Sequence, residues 1–71
     1  MGIDAEEAIE KALEVARKAG VPTLFAMVVD AKKADDKWEI IIESYERKFK
    51  ALLDANTGEA VGWSEISDRK D

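Results

Sequence analysis

Apolar residues in the first twenty positions recur with the period of a helix. Ala5, Ile9, Ala12, Leu13, Ala16 and Ala19 share one side, while Glu6, Glu10, Glu14 and Arg17 occupy the other. Asp4 followed by Glu7 is a capping-box pattern, with Ile3 and Ala8 placed for a hydrophobic staple. Glu7–Lys11 and Glu14–Lys18 are opposite charges four residues apart, in the favourable helical order. Gly20 and then Pro22 stop the run, so the spacing predicts a helix over residues 4–19. Its alanine-rich side suits close packing on a sheet.

Beyond Pro22 the period shortens to that of strands. The runs TLFAMVVD, WEIIIES, KFKALLD and AVGWSEI predict strands over residues 23–30, 38–44, 48–54 and 60–66. Between them lie AKKADDK, SYER and ANTGE, brief polar connections of the kind that join antiparallel neighbours. The expected fold is α+β: a single domain with one N-terminal helix packed on a four-stranded antiparallel meander sheet, in the order α-β-β-β-β. Residues 67–71 are charged and expected to fray.

Cross-strand matching sets the register. A turn at Ser44–Arg47 places Ile42 opposite Phe49, Ile40 opposite Ala51 and Trp38 opposite Leu53, with Glu43 meeting Lys48 on the other face. In the next hairpin Asn56 and Thr57 suit the centre of a turn, and Gly58 suits a left-handed bulge position. That turn sets Leu53 against Val61 and Ala51 against Trp63. Both tryptophans then face the helix, as core residues. In the first strand the bulkier set, Phe25, Met27 and Val29, is assigned to the core. The opposite face of the sheet then carries Leu24, Val28, Ile41 and Leu52 among Glu39, Glu43 and Lys50. This stripe is a candidate surface for a protein partner or for self-association. The alternative is that the same charges keep the face solvated.

Composition narrows the function. With 71 residues, the chain must build one compact core from few elements. It has neither cysteine nor histidine, which removes disulfides, thiolate metal sites and the commonest general base. A net charge of −5 argues against nucleic-acid binding. No apolar run approaches the roughly 18 residues of a membrane span, and acids from Asp4 onward leave no secretory signal pattern. These features predict a cytoplasmic protein, although a domain cut from an exported chain would look the same.

The segments AEEAIEKALEVA, WEIIIES and FKALLDANTGEAVG resemble the PepSY domain family, over about residues 3 to 63. The last segment, an aliphatic pair with Asp-Ala-x-Thr-Gly-Glu and further aliphatics, is the most specific. The resemblance implies a small non-enzymatic module with one helix on an antiparallel sheet. Members are often extracellular or membrane-associated, and some are linked to protease inhibition or protein binding. This chain departs from them in showing no signal or membrane segment, which puts those locations and protease regulation in doubt.

Charge supplies the remaining candidate chemistry. A meander brings the first and third strand connections to one end of the sheet, where the helix also begins. Asp4, Glu6, Glu7, Asp30, Asp35, Asp36, Asp54 and Glu59 would gather there against Lys32, Lys33 and Lys37, eight acids to three lysines. Asp54, Asn56 and Glu59, with Asp35 and Asp36, could offer oxygens to a calcium-type ion, which takes roughly six to eight of them. The spacing is not that of an EF-hand loop. The structural alternative has Asp54 bonding turn amides, Glu59 solvated and the acids near Asp4 complementing the helix dipole. No cofactor is expected beyond such an ion. Catalysis is not expected either: paired carboxylates need a pocket that separates their pKa values, and no histidine activates the serines.

Overall fold

The computed structural model describes residues 2–66; the tail expected to fray lies outside them. Helix α1 spans Ala5–Lys18, followed by a single 3-10 turn, Thr23–Phe25. Four strands follow among the described residues: β1 (Met27–Ala34), β2 (Lys37–Ser44), β3 (Arg47–Asp54) and β4 (Ala60–Ile66). They form one antiparallel sheet in the order β1-β2-β3-β4, so the α+β meander holds.

The helix starts where its sequence says it should. The Asp4 side chain accepts a hydrogen bond from the Glu7 N–H at 2.9 Å, and Glu6 and Glu7 lie in the positive first turn. Arg17 and Lys18 complement the last turn, and Gly20, at φ +91°, turns the chain away. Ala8, Ala12 and Ala16 are fully buried, so the helix backbone lies close on the sheet. Beneath them sit Ile40, Ile42, Ala51 and Leu53, all with no exposed surface. Phe49 closes one side, its ring stacked on Trp63 at 5.3 Å. Trp38 packs at the other end and donates its indole N–H to the Ile3 carbonyl at 3.3 Å.

The β2–β3 register follows the cross-strand reading throughout, from Trp38–Leu53 to Glu43–Lys48. Ala51 also faces Trp63. Leu53, however, faces Ala60 and not Val61, because the ladder slips between Leu52 and Leu53. That slip leaves Val61 as the extra, bulged residue of β4.

Strand β1 departs most from expectation. It begins four residues late, because Pro22 leads into the 3-10 turn, closed by the Ala26 N–H bonding the Thr23 carbonyl at 3.2 Å. It also runs on through AKKA, since the turn into β2 is only Asp35–Asp36. Asp35 adopts φ +59°, a left-handed conformation that aspartate tolerates better than most residues. A bulge at Val29 shifts the register between Val28 and Asp30. Val28, Ala31 and Lys33 therefore lie on the helix side, opposite Ile42, Ile40 and Trp38. Phe25, Met27 and Val29 are not core residues: they are 61%, 58% and 44% exposed.

The β2–β3 turn, Tyr45–Glu46, has positive φ at both residues, +54° and +68°. This hairpin geometry favours Asn-Gly, and a left-handed non-glycine residue costs about 1–2 kcal/mol. Tyr45→Asn with Glu46→Gly should raise stability by about 1–2 kcal/mol, offset in part by losing the Tyr45 ring. Urea unfolding of the double variant measures the gain.

Candidate interaction surface

The proposed apolar stripe does not exist as one surface. Ile41 and Leu52 do lie on the face away from the helix, both half-buried. Val28 belongs to the helix side, opposite Ile42, and Leu24 sits in the 3-10 turn, 84% exposed. The remaining face is charged. Glu39 lies 3.4 Å from Lys50 and 4.0 Å from Lys32, forming a row across three strands. Leu52 lies over Gly62, where a Cβ would come within 3.2 Å of its Cδ1. That leaves two aliphatic side chains on this face, set among charged neighbours.

Exposed apolar surface collects elsewhere, at the start of β1. Leu24, Phe25, Met27 and Val29 follow one another along the 3-10 turn and the strand. Tyr45, 59% exposed at the adjoining β2–β3 turn, meets the Phe25 ring edge-on at 5.4 Å. Among the described residues strand β1 pairs only with β2, so the backbone beside these side chains is an open sheet edge. The sequence carried a signal for this surface: Asp35–Asp36 as a two-residue turn would have moved the first strand forward and freed Phe25 from the core.

Behind Tyr45 lies a cleft of about 210 Å³, walled by Val21, Pro22, Ser44, Phe49, Trp63 and Arg47. The buried Ser44 donates to the Pro22 carbonyl at 3.1 Å, fixing the helix exit to β2. Arg47 stacks 5.4 Å above Phe49 and grips Glu65 through two bonds, at 2.9 and 2.7 Å. That hydrogen bonding holds the Glu65 carboxyl below its ordinary pKa and raises that of Arg47. The cleft is smaller than the roughly 300–1,000 Å³ usual for small-molecule sites.

The acidic segments do share one pole. The Ala55 N–H bonds the Asp36 carbonyl and the Ile3 N–H bonds the Ala55 carbonyl, each at 2.8 Å. Asp35, Asp36, Asp54, Asn56 and Glu59 are thus on neighbouring loops, joined by the helix entry. Asp30 is not with them; it lies within β1, opposite Ile41. Asp54 Oδ1 is taken by the N–H groups of Asn56 and Thr57, at 2.8 and 3.2 Å, and Asp36 lies 3.4 Å from Lys37. Thr57 Oγ1 accepts from the Glu59 N–H, and Gly58 supplies φ +81°. Among the described residues, no three carboxylates converge tightly enough to hold a metal ion.

Among the described residues, no helix is long and apolar enough to cross a membrane. No family model, no curated protein and no solved structure matches the chain.

Proposed function

We propose that the protein is a non-catalytic interaction module that binds a protein chain along the β1 edge. The observation that carries this reading is the run of exposed apolar side chains, Leu24, Phe25, Met27 and Val29, leading into and along the open edge of β1. An added strand would satisfy the open backbone groups while covering these side chains. The resemblance to PepSY domains, some of which are linked to protein binding, points the same way.

A photo-reactive residue at position 29 tests the reading, with one at position 10 on the exposed helix face as reference. Irradiation in cell extract should give discrete protein adducts from position 29 and few from position 10. Equal adduct patterns from both positions, or none from position 29, would refute an edge-directed function.

A further inference from the structure

We infer that the occupant of the β1 edge is a second copy of this chain, paired antiparallel about a two-fold axis at Ala31. This deepens the proposed function and rests on it. The backbone sets which residues can pair. Ala34 and Lys37 flank the two-residue turn, so they share both hairpin hydrogen bonds, and the bonding alternates from there. Ala34, Lys32 and Asp30 direct their backbone groups toward β2; Ala31 and Lys33 direct theirs outward.

Charge then selects one register. A two-fold axis at Asp30 sets two carboxylates face to face, and an axis at Lys32 or Lys33 opposes two ammonium groups. An axis at Val29 falls in the bulge. Only Ala31 remains. It brings outward N–H and C=O groups from both copies together, and its small side chain crowds nothing.

This register also completes an existing charge pattern. Asp30 and Lys32 both point to the face away from the helix, since they pair with Ile41 and Glu39. About Ala31, Asp30 of each copy stands opposite Lys32 of the other, in the closer kind of antiparallel pair, with Cα atoms roughly 4.5 Å apart. Within one chain the row already alternates Lys50, Glu39, Lys32, at 3.4 and 4.0 Å. Asp30 of the second copy is the next opposite charge in that row. Among the described residues, no ion pair within the chain takes up Asp30. Lysines on an edge strand ordinarily discourage pairing; here Lys32 meets its complement.

Sedimentation of purified protein over a wide concentration range tests the inference. Wild type should form a dimer. Asp30→Lys and Lys32→Asp should each weaken it by about tenfold to a hundredfold, because each creates two like-charge contacts. Mixing the two variants should restore association, since both contacts in the mixed dimer are again opposite in charge. Glu10→Lys, with the same charge change as Asp30→Lys but on the helix, should leave the dimer intact. Ala31→Pro removes only an outward N–H and should give a folded monomer, with circular dichroism confirming the fold. A wild type monomeric throughout overturns the second copy, while crosslinks from position 29 to other proteins would still support the edge as a binding site. A dimer that ignores Ala31→Pro and Asp30→Lys overturns this interface.

Discussion

Ile40→Ala should unfold most of the protein under conditions where wild type is stable. Ile40 is fully buried at the centre of β2, and its neighbours on either side, Ala31 and Ala51, are small. The helix above contributes Ala8, Ala12 and Ala16. The side chains directly across from it on both strands are too small to move into the space left by the isoleucine. The loss should therefore fall in the upper part of the roughly 2–5 kcal/mol range for such truncations. A core of this size supplies only about 3–5 kcal/mol in total. Urea titration by circular dichroism should show the variant unfolded at little or no denaturant. Ile40→Val, costing about 0.5–1.5 kcal/mol, should remain folded with a lowered midpoint. An Ile40→Ala midpoint near that of wild type would mean that the volume of this layer is carried elsewhere.

Ala12→Leu should be damaging for the opposite reason. The alanine side of α1 has no exposed surface at positions 8, 12 and 16, so the helix lies as close to the sheet as a methyl group allows. A leucine at position 12 must lift the helix or distort the strands, costing about 1–3 kcal/mol or more. The same substitution at the exposed Ala5 should stay within about 0.5 kcal/mol of wild type. Thermal unfolding of the pair separates crowding from any change in helix propensity. Equal melting temperatures would show that the gap between helix and sheet is wider than the buried alanines indicate.

Most of the fold was legible because local signals agreed with one another. The Asp4 cap, the alanine side and the Gly20–Pro22 stop defined α1 to within a residue. Matched apolar pairs fixed β2 against β3 without error. Strand β1 was misjudged for a physical reason: TLFAMVVD has strong strand propensity, but proline and the 3-10 turn consumed its first residues. Tertiary pairing then extended the strand into AKKA, whose lysines suggested a loop. Without that extension neither the bulge nor its reversal of faces could be seen, and Val28 was assigned to the face away from the helix while Met27 and Val29 were assigned to the core. The acidic pole was legible because a meander alone sets which loops are neighbours. That Asp54 would spend an oxygen on two turn amides also followed from the turn chemistry. The divergence of the other carboxylates depends on side-chain directions that spacing does not encode.

In this meander the helix precedes everything that covers it. A segment of 14 residues is at the margin of what can stay helical alone in water, and its buried side offers mainly methyl groups. Its platform, Ile40, Ile42, Ala51 and Leu53, comes from β2 and β3. A ribosome must therefore release the chain past Asp54 before this helix has anywhere to dock, which makes it among the last of the sheet-and-helix elements to become stable.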